Sequence, residues 1–324
     1  MSPDRALGGP AWLAVDMARI ESLLMSSAKD SLHPLVSDAS THLIKAGGKR
    51  VRPALVMLSA RAGESGREAT DLSAAAIELV HLASLYHDDV IDETETRRGV
   101  PTVHTKWGIE IAVLAGDFLF ARGCALGAEA GGEVPGILAH AIAEVCEGQI
   151  VETANLGDPG RPVDDYTETI RRKTAALFRA ACELGAATAG AAPEHRAALK
   201  GYGERLGLAF QIVDDVLDLV GDPDITGKIP GTDLKEGVFT LPVLIACERD
   251  PSLADRLREG DRDIATVLPR LEALGALTAS FRMASEFAEE AAGILGALPP
   301  SDWRTTLEEM LETVLAQVPR AAVA

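Results

Sequence analysis

The chain has 324 residues, of which 47% are hydrophobic and 25% charged, so it is long and apolar enough to bury a large core. Its 49 acidic residues outnumber its 31 basic ones and give a formal net charge of −18, which argues against nucleic acid as a partner, because such a protein needs a basic face. Its four scattered cysteines lack the paired spacing of a metal or redox centre, and we expect four buried structural thiols.

The N-terminal segment shows no basic run followed by an apolar run, so it does not resemble a secretory signal peptide. Charged residues interrupt the apolar stretches, and we expect none of these stretches to reach the length that spans a membrane. These features predict a cytoplasmic protein without a transmembrane segment.

Apolar residues recur at intervals of three and four along almost the whole chain, a period typical of α-helices. The predicted helices, in chain order, are 52–62, 68–93, 109–130, 136–154, 167–190, 194–220, 241–249, 265–274, 279–295 and 302–317. Glycine and proline mark the gaps, and no stretch alternates with a period of two. We therefore predict an all-α helical bundle that forms a single domain of residues 1–324, because no linker is long enough to separate two domains.

Directly before the first predicted helix, the sequence GGKRVRP places Lys49, Arg50 and Arg52 in a loop. The free backbone N–H groups and the dipole at the start of a helix favour anions. This loop therefore predicts an anion-binding site.

The predicted helices 68–93 and 194–220 carry the same acidic signature. Residues 78–92 read ELVHLASLYHDDVID and residues 204–218 read ERLGLAFQIVDDVLD, with seven of fifteen aligned positions identical. At 100° per residue, the three aspartates of each copy fall within an arc of roughly 100° on one helical face. These aspartates are Asp88, Asp89 and Asp92 in the first copy and Asp214, Asp215 and Asp218 in the second. Isolated carboxylates on an apolar helix are costly to bury, which indicates a strongly cationic group between the two helices.

Magnesium suits this set of hard oxygen ligands, since it prefers carboxylates, keeps several waters and commonly bridges to substrate phosphates. Calcium is less suited, because nothing in the chain resembles a twelve-residue calcium loop. The alternative is that both acidic faces are simply solvated. One copy of the signature would allow that reading, whereas two copies on apolar helices argue against it.

Further polar and cationic residues accompany the acidic signatures. They are Arg97 and Arg98 after the first signature, Lys173 with its neighbour Thr174 in an apolar helix, and Lys228 in the irregular segment 221–239. Each could be an ordinary surface residue, but in so acidic a chain their grouping predicts two anion pockets beside a metal cluster, a site for two diphosphates. His81 lies two turns before Asp88 on nearly the same face, so it is either a ligand or a satisfied core residue.

Five motifs, GGKRVRP, HDDVIDETETRRGVPT, KTAALF, FQIVDDVLD and GKIPGTDLKEGVFTLP, resemble in this order those of the trans-isoprenyl diphosphate synthases, or polyprenyl synthetases, of medium- to long-chain type. The match covers about residues 47–242. The resemblance implies the isoprenoid synthase fold, an all-α bundle around a deep central cavity, usually as a homodimer. It also implies the head-to-tail condensation of an allylic diphosphate with isopentenyl diphosphate.

The resemblance implies a role for each site residue. The aspartates of both signatures, Asp88, Asp89, Asp92, Asp214, Asp215 and Asp218, would hold Mg²⁺ ions that grip the allylic diphosphate, and with Lys173 they would be catalytic. The residues that contact this diphosphate would be Arg97, Lys173, Thr174, Gln211 and Lys228. The residues that bind isopentenyl diphosphate would be Lys49, Arg52, His81 and Arg98.

The residues before the first signature bear on product length. Ser84 lies one turn before Asp88 on the metal-facing side, whereas Ala83 points elsewhere and enters only through the resemblance. In short-chain members bulky aromatic residues at these two positions close the pocket. The small residues here predict a polyprenyl product longer than C20, with farnesyl or geranylgeranyl diphosphate as the alternative.

One position departs from the pattern of the family. Val238 stands where the members usually carry a lysine that contacts the allylic diphosphate. Either Lys228 and Lys235 suffice, or the affinity for the allylic diphosphate is weaker.

Two other functions are compatible with parts of the sequence. A class I terpene cyclase would share the fold and the first signature, but it would have no reason to keep Lys49, Arg52 and Arg98 together. A non-catalytic subunit of a heteromeric synthase would have lost one acidic signature, and both are intact here. The synthase remains the preferred hypothesis, with a homodimer as its assembly and a membrane as the destination of its product.

Overall fold

The structure is a computed structural model, and it describes residues 8–64, 66–221, 230–319 and 322–323. Its helices are α1 (Ala11–Lys29), α2 (Pro34–Ser40), α3 (His42–Lys45), α4 (Val51–Ser59), α5 (Arg67–Ile91), α6 (Val103–Trp107), α7 (Ile109–Ala130), α8 (Val134–Ala154), α9 (Val163–Ile170), α10 (Ala176–Thr188), α11 (Pro193–Val220), α12 (Thr232–Glu236), α13 (Leu241–Arg249), α14 (Pro251–Arg258), α15 (Ile264–Ala273), α16 (Ala276–Leu295) and α17 (Asp302–Leu315). Within the described ranges, the only sheet is an antiparallel hairpin of β1 (Thr96–Arg97) and β2 (Val100–Pro101). The prediction of an all-α fold is confirmed.

Each helix predicted from the apolar period is present, with ends that differ by a few residues. The prediction of one continuous helix over 167–190 was wrong, because a π-helical turn, Arg171–Ala175, joins α9 to α10. The periodicity analysis also missed α1, which follows Pro10 and has no side-chain cap at its N-terminus. In the segment 221–239 that was predicted to be irregular, the described part contains α12.

Helix α5 lies at the centre of the bundle. It packs against α1, α4, α7 and α10, and α10 in turn packs against α11, which is covered on its other side by α16 and α17. The largest fully buried side chains include Tyr86 on α5 and Tyr202 on α11. The two helices that carry the acidic signatures are therefore held by the same core, one on each side of α10.

Small residues allow these helices to approach closely. A Cβ atom added to Gly185 on α10 would lie 2.1 Å from the carbonyl oxygen of Val56 on α4. One added to Gly207 on α11 would lie 2.6 Å from the Cα of Ala175. Any larger residue at either position would force the helices apart, so the abundance of small residues is a packing requirement of this bundle.

Two helices in the described ranges, α7 and α8, are long and apolar enough to cross a membrane, judged by length and composition alone. Helices α15 and α16 together would form a third such span if this pair, which is bent by 68°, were counted as one. The expectation that charges interrupt every apolar stretch before that length was therefore wrong. In α7 only Asp117 and Arg122 interrupt residues 111–128. Only 39% of the apolar window of α7 and 22% of that of α8 is buried inside the chain.

The cysteines divide into two pairs. Cys182 and Cys247 are buried, whereas Cys124 and Cys146 are exposed. The expectation of four buried thiols was therefore wrong for the latter two, because they lie on α7 and α8, whose outer faces the rest of the chain does not cover.

Candidate functional site

Both acidic signatures lie at the C-terminal ends of their helices. Asp88 and Asp89 belong to the last turn of α5, Asp92 is its C-cap, and α11 ends two residues after Asp218. The C-terminal end of a helix carries the negative pole of its dipole, which disfavours carboxylates. Two clusters of aspartates at such ends therefore raise the free energy of the folded chain unless a cation joins them.

The aspartates of α5 have two different environments. Asp88 is partly exposed, and burial, with a smaller contribution from Asp92, raises its pKa to about 6. Asp89 is buried, and its Oδ1 accepts a hydrogen bond from Arg97 Nε at 2.5 Å. Its other oxygen, Oδ2, is buried without a hydrogen-bond partner in the part of the chain that the structure describes. Asp89 thus positions Arg97, and one of its oxygens remains available to a cation.

The aspartates of α11 are held more tightly by the protein itself. Asp215 is 2% exposed and accepts hydrogen bonds from the hydroxyl of Tyr166 and from Gln211 Nε2, the latter at 2.8 Å. Burial raises its pKa to about 7 in spite of these donors. Asp218 accepts a hydrogen bond from the backbone N–H of Asp233 at 3.3 Å, while Asp214 is exposed.

Glu152, near the end of α8, lies between the two acidic helix ends. Burial raises the pKa of Asp88, Asp92 and Asp215, and the charge of Glu152 raises it further in all three. The structure therefore brings the two signatures together around Glu152. The sequence analysis missed this residue, although a single carboxylate in the apolar turn QIVETA was a signal that could have identified it.

Lys173 is the cation of this group. Its Nζ forms an ion pair with Glu152. Burial lowers the pKa of Lys173, but the charges of Glu152, Asp88 and Asp92 outweigh this effect and raise the pKa above its ordinary value. Lys173 is therefore charged and lies among the acids of both α5 and α8.

Lys173 and Thr174 lie in the π turn Arg171–Ala175, and π turns of this kind are frequent at functional sites. A Cβ added to Gly148 on α8 would lie 2.5 Å from the backbone nitrogen of Lys173, so the glycine allows the turn to approach α8. Thr174 Oγ1 donates to Gln211 Oε1 at 2.7 Å, and Gln211 in turn donates to Asp215. The turn therefore connects Lys173 to the second signature through a chain of hydrogen bonds.

A second group of cations surrounds His81. Burial lowers the pKa of His81 well below its ordinary value, and the charges of Arg52, Arg98 and Arg97 lower it further, so the imidazole is neutral at pH 7. Arg98 Nη1 donates to the carbonyl of Leu43 at 3.1 Å and to that of Gly47. His81 is only partly buried. This position among guanidinium groups favours the interpretation of His81 as a ligand over a satisfied core residue.

The remaining members of this group lie on α4 and the loop before it. Arg52 stacks on the ring of Phe178, with its Cζ 4.9 Å from the ring centroid, and its Nε is buried without a partner among the described residues. Lys49 is exposed and its Nζ donates to Gln317 Oε1 at 3.3 Å. Of the predicted isopentenyl diphosphate residues, Arg52, Arg98 and His81 therefore lie close together, whereas Lys49 contacts Gln317.

The backbone of this region adopts unusual conformations. Arg50, Glu93 and Arg98 have φ angles of 48°, 51° and 54°, the left-handed region that residues other than glycine rarely adopt. Such conformations cost free energy and persist where the surroundings enforce them, commonly at functional sites. All three lie beside the predicted anion pockets.

The two positions predicted to control product length differ in exposure. Ala83 is fully buried in the core, and Ser84 is half-buried with its Oγ donating to the carbonyl of His81 at 2.8 Å. Ser84 is thus the more exposed of the two, and control of product length by either residue stays a prediction.

Val238, which stands where family members usually carry a lysine, lies in a turn next to the second acidic signature. The N–H of Val238 donates to the carbonyl of Asp233 at 2.9 Å, and Lys235 is exposed. Lys228, the other predicted cation of this segment, lies outside the described residues.

The acidic residues fit a divalent cation by the chemistry of their donors. They offer hard carboxylate oxygens, one of them the orphaned Oδ2 of Asp89, and burial, the main cause of the raised pKa values of Asp88 and Asp215, makes the charged carboxylates costly without a cation. Among the described residues, no three His, Cys, Asp or Glu side chains lie close enough together to hold a metal ion unaided. The site is thus an open one, in which water and substrate oxygens would complete the coordination.

Comparison with known proteins gives consistent matches. The model of the polyprenyl synthetase family matches residues 33–267. The chain is 37% identical to heptaprenyl diphosphate synthase component 2 of Geobacillus stearothermophilus, over 93% of this chain and 95% of that protein. It is 35% identical to nonaprenyl diphosphate synthase of Mycobacterium tuberculosis, over 93% and 92%. It is 40% identical to a short chain isoprenyl diphosphate synthase of Methanothermobacter thermautotrophicus, over 86% and 89%.

The fold has close counterparts among solved structures. A polyprenyl synthase from Caulobacter crescentus, complexed with calcium and isoprenyl diphosphate, superimposes with a TM-score of 0.89 at 36% identity, covering 94% of this chain and 95% of that one. The likeness extends over nearly the whole of both chains.

Proposed function

Since the chain belongs to the polyprenyl synthetase family, we propose that it condenses an allylic diphosphate with isopentenyl diphosphate in successive head-to-tail additions. The product is an all-trans polyprenyl diphosphate longer than C20. One observation carries the proposal: Glu152, which pairs with Lys173, acts on the acidic ends of both α5 and α11, and a group of arginines lies around His81, on nearly the same face of α5 as Asp88. These two adjoining sites match two diphosphate substrates.

The first substrate is the allylic diphosphate, which must ionise at its C–O bond. Asp88, Asp89 and Asp92, with Asp214, Asp215 and Asp218, would hold Mg²⁺, which would neutralise charge on the leaving diphosphate. Lys173 lies beside these acids and stabilises the same charge as it develops, while Arg97, Thr174, Gln211 and Lys228 contact the diphosphate. Fixed charges of this kind lower a barrier because they need no reorganisation when the bond breaks.

The second substrate is isopentenyl diphosphate, and its diphosphate binds Lys49, Arg52, Arg98 and the neutral ring of His81. Its double bond then attacks the allylic carbon as the C–O bond to the leaving diphosphate breaks, and the departed diphosphate accepts the proton whose loss completes the addition. Apolar helix walls exclude water from the reacting centre, which prevents hydrolysis to an alcohol.

Product length depends on the depth of the cavity beside α5. The half-buried Ser84, one turn before Asp88, leaves room for the growing chain, whereas the fully buried Ala83 enters the proposal only through the resemblance to the family. Both sites are small here, which supports an elongated product. The relatives with heptaprenyl and nonaprenyl names support the same conclusion.

The assembly we propose is a homodimer formed through α7 and α8. On their outer faces, Leu114 of α7 is 62% exposed and Ile150 of α8 is 68% exposed. Only three residues connect the two helices, so they run antiparallel, and Leu114 and Ile150 lie at the same end of the pair. A second copy of the chain would bury this surface.

The proposed location is the cytoplasm, from which the apolar product passes to a membrane. The competing possibility to a homodimer is a complex with a different chain, because the relative from Geobacillus stearothermophilus is named component 2 of its synthase.

The test is incubation of the purified protein with Mg²⁺, isopentenyl diphosphate and each allylic primer in turn, followed by mass analysis of the products. Polyprenyl diphosphates longer than C20 are expected. Release of pyrophosphate without incorporation of isopentenyl units would indicate a terpene cyclase. No product under any condition would indicate a non-catalytic subunit.

A further inference from the structure

One buried carboxylate pairs with an arginine and acts on the charges of two others next to the proposed isopentenyl diphosphate pocket. Glu78 on α5 is 2% exposed, and its Oε1 accepts a hydrogen bond from Arg50 Nη1 at 3.1 Å. Glu78 is the first residue of the repeated acidic signature, and the proposed reaction gives it no role. We propose that Glu78 is a positioning residue: it pairs with Arg50 and keeps Arg52 and Arg98 in place as groups that bind the diphosphate of isopentenyl diphosphate.

The geometry ties all three arginines to the same small region. Arg50 Nη2 donates to the carbonyl of Ile44 at 3.2 Å, and Arg98 Nη1 donates to the carbonyls of Leu43, at 3.1 Å, and Gly47. Both guanidinium groups therefore hold the loop between α3 and α4. Arg52 follows on the first turn of α4.

Charge explains why a carboxylate is needed there. An arginine cannot relieve repulsion by losing its proton near neutral pH, so three guanidinium groups in one buried region require an anion. Burial lowers the pKa of Arg52 to about 10 and also lowers that of Arg98, and the charge of Glu78 opposes the shift in both. Glu21 also pairs with Arg50, but its side chain is 43% exposed, so water weakens that pair.

The contacts leave a surplus of positive charge in this region. Glu78 lies one turn before His81 on α5 and pairs with Arg50, and the charges of Arg50, Arg52 and Arg98 also act on His81. Arg52 Nε and Glu78 Oε2 are buried without hydrogen-bond partners among the described residues. Glu78 is thus the permanent anion that orders the arginines, and the incoming diphosphate is the transient one that occupies their free donors.

This inference rests on the proposed function and concerns one of its two substrates. The decisive variant is Glu78→Gln, which keeps the shape and removes the charge. We expect the KM for isopentenyl diphosphate to rise about tenfold, the effect of losing one charge-assisted hydrogen bond, while the KM for the allylic primer stays unchanged. A purely structural role would shift both KM values or lower only kcat.

The chain offers a matched control in Asp16 on α1. Asp16 is also buried, at 6% exposure, and it lies near three arginines: Arg19 at 2.8 Å, Arg61 at 2.9 Å and Arg67 at 3.9 Å. Asp16→Asn removes a comparable charge outside the proposed site. It should lower the melting temperature as Glu78→Gln does and leave both KM values at the wild-type level.

Two outcomes in Glu78→Gln overturn the inference. The first is an unchanged KM for isopentenyl diphosphate. The second is a lower KM for this substrate, which would show that Glu78 only competes with it for the arginines. If Glu78→Gln does not fold, Glu78→Asp decides, because it keeps the charge but withdraws it by one methylene group. A smaller rise in the same KM supports the inference, and no rise refutes it. Wild type and Asp16→Asn must elongate in the same assay, so a failure of all variants would refute the proposed function instead.

Discussion

At the scale of single residues, the acids of the candidate site are held in an unfavourable state. Burial raises the pKa of Asp88 to about 6 and that of Asp215 to about 7, although Lys173, Tyr166 and Gln211 oppose the shift. Sequence analysis identified these aspartates from their spacing. It could not distinguish Asp88, which is partly exposed, from Asp89, which is buried and holds Arg97, because that difference depends on which neighbouring element each one meets.

These raised pKa values predict a dependence of stability on pH. In the absence of a divalent metal ion, the folded chain keeps protons on Asp88 and Asp215 at pH 5, where the unfolded chain has released them, so stability falls as the pH rises from about 4 to 7. For Asp88 alone the loss is of the order of 3 kcal/mol. Chemical denaturation in a chelator, at pH 4.5 and 7, should show a smaller fall in Asp88→Asn than in wild type. Asp38→Asn, on the exposed part of α2, is the control, and equal falls in all three proteins would refute this account.

Ser84 and Ala83 differ in a way that separates two effects of a bulky residue. Ser84→Phe should shorten the product, because its partly exposed side chain lies one turn before Asp88, and should leave the melting temperature nearly unchanged. Ala83→Phe should destabilise the protein by about 1–3 kcal/mol, since it adds an aromatic ring to a fully packed core. The measurements are product masses and thermal melts. An unchanged product distribution in Ser84→Phe would show that this wall does not control length.

At the scale of elements, the apolar period predicted the long helices well, because each one buries a continuous stripe against the bundle. It failed at the π turn Arg171–Ala175, where close contact with Gly148 and Gly207 reshapes a helix whose own sequence gives no sign of a break. It also missed Glu152, whose role arises from the meeting of three helices. Such features depend on packing between elements that are distant in the sequence.

The π turn leads to a prediction about Gly148. Gly148→Ala would place its Cβ 2.5 Å from the backbone nitrogen of Lys173, displacing the turn and moving Lys173 from the acids. We expect kcat/KM for the allylic primer to fall roughly tenfold or more, since small displacements of a catalytic group have large effects. Gly136→Ala on the same helix is the control, because no atom lies within 4 Å of its added Cβ. Equal activity in both variants would mean that the turn is not needed.

At the scale of the whole molecule, the sequence analysis was wrong mainly about α7 and α8, whose outer faces are apolar and uncovered. Their apolar residues were expected to be interrupted by charge or buried in the core, yet much of their surface remains uncovered. The sequence could not show this, because the period of an apolar helix does not reveal whether its second face meets the same chain or another one.

The dimer we propose predicts that charge on this surface separates the subunits. Leu114→Asp combined with Ile150→Asp should convert the dimer to a monomer, because burying two carboxylates in an apolar interface is costly. Sedimentation velocity measures the change. Val15→Asp, at a position 65% exposed on α1, is the control and should leave the mass unchanged. A wild-type protein that sediments as a monomer would refute the proposed assembly.

The central claim is that both acidic helix ends grip one diphosphate through divalent metal ions. Calorimetric binding of a non-hydrolysable allylic thiodiphosphate, with Mg²⁺ or with a chelator, tests it most directly in wild type, Asp88→Asn and Asp214→Asn. We predict binding only with Mg²⁺ and a strong loss of affinity in both variants. Binding that survives the chelator, or that needs the aspartates of only one helix, would contradict the account.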